Sequence, residues 1–209
     1  MTELRSMPKV ASSQAKPPDV PPETRRQPGV IPAVYAKHLE EFAFLWGQRK
    51  AALRSPDYTL GDVARLEQRI AAHLDGLLLA GEAAIPTLEA GLAGDDPQAV
   101  FAAGYVLLAL RVPAAAQRVA EAFLHAEAEK IEALSQSLCH GPIDLIEKPL
   151  RHAAASAPAP AAVAALEALA FHRRPDPGDD RLAEFLQDKN AQVRRAAWRI
   201  MAILYSPGA

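Results

Sequence analysis

The chain has 209 residues, half of them hydrophobic, and a formal charge of -2. This length is enough for one domain with a buried core. The longest apolar run, residues 100–110, is about half of the roughly 20 residues that a transmembrane helix requires. Residues 1–29 hold no apolar signal segment, and the near-neutral charge gives no field that concentrates DNA. We therefore expect a cytoplasmic protein that binds neither membranes nor nucleic acid.

Residues 1–29 differ in composition from the rest of the chain. They contain prolines at positions 8, 17, 18, 21, 22 and 28, few large apolar residues and charges without a period. Such a segment buries too little surface to offset its ordering entropy, which predicts a disordered leader. A docking motif for a proline-binding partner is the alternative. The ordered domain is then expected to span residues 30–209.

Two long amphipathic helices are predicted at the start of this domain. Pro32 suits the first turn of the first helix, which should end at Ser55 and Pro56. Its apolar face consists of Tyr35, Leu39, Phe42, Trp46 and Leu53. The second helix should begin after Thr59, a good N-cap, and continue to Gly81. Its apolar face consists of Val63, Leu66, Ile70, Leu74 and Leu77.

Shorter helices should fill the remainder of the chain, because turn signals recur and the alternation typical of strands is nearly absent. These signals lie at residues 94–97, 112–113, 141–142, 157–158, 175–180 and 189–190. Apolar residues recur every 31 residues in two sets, namely Val100, Ile131, Ala162 and Val193, and then Leu107, Leu138, Leu169 and Ile200. Alanines that should lie between helices are Ala102, Ala103, Ala165, Ala196 and Ala197. Together these patterns predict an all-α fold, an α-solenoid of stacked antiparallel helix pairs.

The segment 186–204 resembles the second helix of a HEAT repeat. It carries an aspartate turn, a Val-Arg pair and small residues, at Asp188, Asn190, Val193, Arg194, Ala196 and Ala197. Similar elements of an earlier repeat are Asp95, Val100, Ala102 and Ala103. In HEAT proteins the aspartate and the arginine often bond between neighbouring repeats. The resemblance therefore implies a structural ladder formed by Asp188 and Arg194.

A closer resemblance extends from residue 31 to the end of the chain. Its phrases are IPAVY at 31–35, HLEE at 38–41, FLW at 44–46, LEQRI at 66–70, AHLDGL at 72–77, AG at 80–81 and HRRPDPG at 172–178. They look like an uncharacterised bacterial family of HEAT-like proteins that tend to be encoded beside type VI secretion components and toxins. The resemblance implies an accessory or immunity protein that binds a toxin or a secretion spike component.

Members of that family usually continue through more repeats, whereas this chain ends at Ala209. The last helix is then expected to leave Ile200, Ile203 and Leu204 without a polar capping repeat. Two interpretations stay open. The chain is either a short form that pairs this end with a partner, as in a homo-oligomer, or a fragment of a longer protein.

No residue pattern indicates catalysis, a cofactor or a metal. None of the six histidines forms an i,i+4 pair with a carboxylate between, as a zinc helix requires, and His-Glu dipeptides of the di-iron repeat hydroxylases are absent. His38 with Glu41, and His125 with Glu129, are interpreted as solvated ion pairs. The single cysteine, Cys139, should be a buried, inert thiol. We expect a protein that is not an enzyme.

The alternative is a DNA-binding helical-repeat enzyme of the DNA glycosylase type, which needs a basic groove. Arginines do cluster near the end of the chain, at Arg173, Arg174, Arg181, Arg194, Arg195 and Arg199. The helix at 121–132, however, carries four glutamates and one lysine. This mixed charge favours a protein partner.

Candidate partner-binding residues lie on the first two helices, where polar and aromatic groups flank the apolar faces. They are His38, Glu41, Trp46, Arg49, His73 and Asp75. The structural alternative is that Trp46 belongs to the core and the others form caps or ion pairs.

Overall fold

The computed structural model describes residues 31–174 and 179–205, and all regular elements within these ranges are helical. The all-α prediction is confirmed. The α-helices of the described ranges are α1 Pro32–Ala52, α2 Leu60–Ala80, α3 Ile85–Ala93, α4 Pro97–Ala109, α5 Pro113–Leu124, α6 Ala128–His140, α7 Glu147–Ser156, α8 Ala159–Phe171, α9 Asp179–Leu186 and α10 Ala191–Tyr205. A short 3₁₀ helix, Gly81–Ala84, connects α2 to α3. The predicted leader and residues 175–178 of the predicted 175–180 turn lie outside the described residues.

Local side-chain chemistry sets the starts of α2 and α4. The backbone N–H of Asp62 donates to Oγ1 of Thr59 at 3.2 Å, and the N–H of Thr59 donates to Oδ2 of Asp62 at 2.9 Å. This reciprocal capping box starts α2 at the predicted residue. Asp96 caps α4 by accepting from the N–H of Gln98 at 3.0 Å. Both caps satisfy amide groups that have no partner inside the helix.

The ends of α4 and α8 carry the same unusual backbone conformation. Arg111 has φ of 55° and Arg173 has φ of 58°, in the left-handed region that few non-glycine residues adopt. The two arginines stand two 31-residue periods apart. At α8 the turn closes with a hydrogen bond of 2.8 Å from the N–H of Arg174 to the carbonyl of Leu169, which is a Schellman arrangement. The positive φ therefore recurs at a multiple of the 31-residue period of the sequence.

Contacts between helices follow a regular order. Helices α1, α4, α6, α8 and α10 contact one another in that sequence, while α3, α7 and α9 pack against α4, α8 and α10 respectively. All members of the two predicted 31-residue sets are buried except Ile131, which is half-buried. All five predicted inter-helix alanines are buried.

One prediction about the apolar faces is wrong. Leu53 is 54% exposed because it follows the last turn of α1, and Leu45, which the pattern missed, is completely buried instead. Of the three residues expected to lack a capping repeat, Ile200 is buried on α10, which packs against α8, and Ile203 and Leu204 are half-buried. The exposed large apolar side chains of α10 are Trp198 and Tyr205.

One close approach between consecutive helices of the row lies at Gly104 of α4 and Ser137 of α6. A Cβ atom on Gly104 would stand 2.8 Å from Oγ and 3.1 Å from Cβ of Ser137. Ser137 is fully buried, and its hydroxyl donates to the carbonyl oxygens of Phe101 at 2.9 Å and Ala133 at 3.1 Å, alternatives for one proton. The contact leaves no room for a side chain at position 104.

The Gly104→Ala variant should therefore be less stable than the wild-type protein. Overpacking of a tight core costs about 1–3 kcal/mol, more than the roughly 1 kcal/mol that alanine gains over glycine in a helix. Urea unfolding measures the difference. The matched control is Gly61→Ala, where the nearest atom to a new Cβ is 3.6 Å away, and its stability should be unchanged or higher. Equal stability of the two variants would contradict the tight α4–α6 contact.

Candidate functional site

A cleft of about 290 Å³ opens between α1, α2, α4 and the end of α6. Its aromatic wall consists of Phe42, Trp46, Phe101 and Tyr105. Its aliphatic wall consists of Ile70, Ala71 and Leu74, and its polar groups are Arg49, Glu67 and His140. The α1 and α2 residues recur at intervals of three or four, so each helix turns one face to the cleft.

Trp46 is both a packing residue and a wall of this cleft. Its ring is half-buried and stacks on Phe101, with centroids 4.3 Å apart and an interplanar angle of 14°. The ring of His140 meets it edge-on at 5.1 Å. The indole Nε1 is shielded from solvent and has no hydrogen-bond partner among the described residues. A shielded donor without a partner is uncommon in folded proteins and marks a place where an acceptor is missing.

The charges around the cleft are already balanced. Nε of Arg49 donates to Oε1 of Glu67 at 2.7 Å, and the guanidinium lies 5.1 Å from the centre of the Trp46 ring. Burial lowers the pKa of His140, and the positive charge of Arg49 lowers it further. His140 is therefore neutral at pH 7, and the cleft carries one paired cation and one paired anion.

A second cluster lies where His38 of α1 meets His73 of α2. Their Nδ1 atoms are 3.1 Å apart, so one imidazole donates and the other accepts. The helices approach closely here, because a Cβ on Gly76 would stand 2.7 Å from Cε1 of His38. Burial lowers the pKa of His73, and His38 adds to the effect, while Glu41 opposes it.

Both predicted histidine ion pairs are wrong. Glu41 pairs with Lys37 at 3.1 Å rather than with His38, since His38 is turned to α2. His125 contacts the backbone carbonyl of Glu121 at 2.8 Å rather than the side chain of Glu129.

The structure thus separates the six predicted binding residues into groups. Trp46 and Arg49 line the cleft, and His38 and His73 form the imidazole pair with Glu41 nearby. Asp75 is exposed on α2, outside both groups. The sequence reasoning missed the remaining wall of the cleft, formed by Phe101, Tyr105 and His140. An aromatic pair at i,i+4, Phe101 with Tyr105, was the available signal.

Cys139, Asp188 and Arg194 are the other residues to which the sequence assigned a role. Cys139 is buried, as predicted, and burial raises the pKa of its thiol to about 12. Arg194 donates to the carbonyl oxygens of Asp188 at 2.6 Å and Lys189 at 2.9 Å, within its own turn. Arg194 and Asp188 therefore do not form the ladder between neighbouring repeats that the resemblance implied. Within residues 31–174 and 179–205, no three His, Cys, Asp or Glu side chains are grouped to hold a metal ion.

Most arginines of the C-terminal cluster bind acceptors of the chain itself. Arg174 donates to Asp144 and Glu147, both at 2.7 Å, and Arg199 donates to Glu167 at 2.6 and 2.9 Å. Arg173 and Arg181 donate to backbone carbonyl groups, as Arg194 does. A DNA backbone would have to compete with these acceptors for the same guanidinium groups.

One helical stretch of the described residues, Leu60–Ala93, is long and apolar enough to cross a membrane by length and composition alone. It comprises α2, the 3₁₀ helix and α3, and changes direction at Gly81, where φ is 58°. A single stretch of this kind is weak evidence for a membrane segment.

No family model, curated protein or solved structure matches this chain at a significant level. The resemblance to HEAT-like proteins of type VI secretion clusters therefore stays a prediction from the sequence.

The lowered pKa of His73 predicts that stability falls in mild acid. The unfolded chain binds a proton near the ordinary pKa of 6.5, whereas the folded protein resists protonation of this ring. Folding is therefore progressively weakened as the pH falls below that value. Urea unfolding at about pH 7.5 and about pH 5.5 measures the loss. His73→Gln should reduce this loss of stability at low pH, whereas the surface control His125→Gln should not. The lowered pKa of His140 contributes to the loss in the same direction.

Substitutions of Trp46 separate its two roles. Trp46→Ala removes the stack on Phe101 and should lower the free energy of unfolding by about 2 kcal/mol or more. Trp46→Phe keeps an aromatic ring and removes the shielded N–H, so its stability should stay within about 1 kcal/mol of wild type. Thermal and urea unfolding test both variants. Unchanged stability of Trp46→Ala would identify Trp46 as a purely surface residue.

Proposed function

We propose that the helices form an α-solenoid of stacked antiparallel pairs, resembling HEAT repeats. Three observations support this arrangement. Helices α1, α4, α6, α8 and α10 contact one another in chain order, and the 31-residue sets on α4 to α10 are buried except for the half-buried Ile131. Arg111 and Arg173 share a positive φ two periods apart. Stacked repeats of this kind present long surfaces to other molecules.

We further propose that the protein is a non-enzymatic binding module for another protein, and that the α1–α2 pair carries the binding surface. The observation that supports this most directly is the cleft with the aromatic wall of Phe42, Trp46, Phe101 and Tyr105. Each of the two helices has 21 residues, which corresponds to about 30 Å of helix. Tyr58, Leu60 and Leu79 add exposed apolar area on or beside α2. Aromatic and arginine side chains such as Trp46 and Arg49 are enriched at protein interfaces.

The resemblance to type VI secretion families suggests the biological role. We propose an accessory or immunity protein in the cytoplasm that binds a toxin and either neutralises it or escorts it to the secretion spike. An immunity protein acts by occlusion: it covers the active site or substrate groove of the toxin and needs no chemistry of its own. A second proposed protein–protein contact is self-association of the chain through the exposed Trp198 and Tyr205 of α10.

Affinity capture from the native cell lysate, with a moderate-salt wash and mass spectrometry, tests the proposal. We expect one toxin or spike protein to be retained. With that partner purified, Arg49→Ala should weaken binding by about tenfold or more, as truncation at the centre of an interface does. The matched control is Arg118→Ala on α5, which also removes an arginine with a carboxylate partner, Glu89, and should bind normally.

A different result would favour the alternative function. If capture retains no protein, and the purified chain binds DNA in a salt-sensitive manner that charge reversal at Arg194 and Arg195 abolishes, the DNA-binding enzyme becomes the better interpretation.

A further inference from the structure

We propose that His38 of α1 and His73 of α2 form a binding site for a divalent transition-metal ion of the zinc type. The two Nδ1 atoms chelate the ion together, and water fills its remaining positions. No spacing in the sequence indicates this site, because its donors are 35 residues apart and meet only where α1 packs against α2. The inference does not depend on the proposed protein partner.

The separation of the two donor atoms suits chelation. The Nδ1 atoms of His38 and His73 lie 3.1 Å apart. Zinc binds imidazole nitrogen at about 2.0–2.1 Å, so an ion in contact with both atoms would have an N–Zn–N angle of about 100°. This angle lies between those of octahedral and tetrahedral coordination, at about 90° and about 109°. A rotation of the rings that turns both lone pairs toward the ion completes the geometry.

In the free protein a shared proton occupies the place of the metal. One imidazole donates from Nδ1, and the other accepts with the lone pair of its own Nδ1. When the ion binds, the donor ring carries its proton on Nε2 instead, so both Nδ1 atoms present lone pairs and both rings stay neutral. The exchange replaces one hydrogen bond with two metal–nitrogen bonds.

The packing of α1 against α2 places the His38 ring in advance. A Cβ atom on Gly76 would stand 2.7 Å from Cε1, 2.9 Å from Nε2 and 3.0 Å from Nδ1 of His38, so this ring lies against the backbone of α2. The ring of His73 meets it at an interplanar angle of 62°. Both side chains are half-buried, so they stay partly accessible to solvent. Donors that are already in position lose little freedom when a ligand binds.

The surrounding charges set the expected strength of the site. Glu41 favours a positive charge at His73, whereas Arg69 and Lys37 oppose it, and Glu41 acts most strongly of the three. Lys37 is itself paired with Glu41 at 3.1 Å. Within residues 31–174 and 179–205, no third potential ligand is grouped with the pair. We therefore expect a dissociation constant in the micromolar range, weaker than that of a structural zinc site with four protein ligands.

NMR spectroscopy of the histidine side chains detects the site directly. The full-length protein, which has six histidines, is titrated with zinc chloride at about pH 7.5, where imidazole is neutral and can bind metal. The imidazole resonances of His38 and His73 should shift together along one saturating curve. Those of the exposed His125 should stay in place over the same range. Magnesium chloride should shift none of them, because magnesium prefers oxygen ligands.

Matched variants test the role of both rings. His38→Gln and His73→Gln should each weaken zinc binding by about tenfold or more, since loss of an outer-shell partner alone costs roughly 10–100-fold. His125→Gln should bind as wild type does.

A glycine pair provides variants that keep both imidazoles. Gly76→Ala displaces the His38 ring and should also weaken zinc binding. Gly61→Ala lies on the same helix, with the nearest atom 3.6 Å from the new Cβ, and should leave the affinity unchanged. This pair keeps the test decisive if either glutamine variant folds poorly.

Thermal unfolding supplies a second readout. Zinc should raise the Tm of the wild-type protein as its concentration rises, and EDTA should reverse the effect, because an ion that binds only the folded chain stabilises it. Parallel zinc shifts of His125 with His38 and His73, or glutamine variants that bind zinc as tightly as wild type, would show that no chelate forms. Unchanged zinc affinity of Gly76→Ala would likewise overturn the inference, because the ion would then bind elsewhere.

Discussion

Close contact between consecutive helices through small side chains is the constraint on which the fold depends. Along the row α1, α4, α6, α8 and α10, buried alanines and one glycine stand where larger core residues are usual. Alanine contributes little apolar area, so stability comes from the close approach of the backbones and from dispersion contacts between them. The buried hydroxyl of Ser137 is compatible with this core because two backbone carbonyl oxygens are within reach.

The cleft forms where this small-residue packing gives way to aromatic rings. Positions 105, 136, 167 and 198 are related by the 31-residue period, and they carry Tyr105, Gln136, Glu167 and Trp198. Gln136 accepts from Lys50 and Glu167 accepts from Arg199, while Trp198 is exposed. The period therefore marks a polar or accessible row, and at Tyr105 both α1 and α2 contribute walls beside it. Rings continue outward from the cleft, since His140 lies 5.3 Å from Phe171.

The sequence predicted the elements better than the site. The capping box at Thr59, the Asp96 and Pro97 start of α4 and the burial of the periodic residues all depend on neighbours a few residues away, which a sequence displays. A helical pattern identifies the inward face of each helix but not the group opposite it. The His38–His73 pair required the antiparallel register of α1 and α2, and for that reason His38 was wrongly paired with Glu41. Phe101 and His140 were missed because α4 and α6 are remote from α1 in the chain.

Two opposing contributions to stability meet in the side chain of Trp46. Its stack on Phe101 stabilises the junction of α1 and α4, and a phenylalanine could supply much of the same contact. The indole adds a shielded N–H, which costs about 1–3 kcal/mol when it finds no acceptor. This cost falls on the folded protein, so it reduces the net stabilisation that the stack on Phe101 provides.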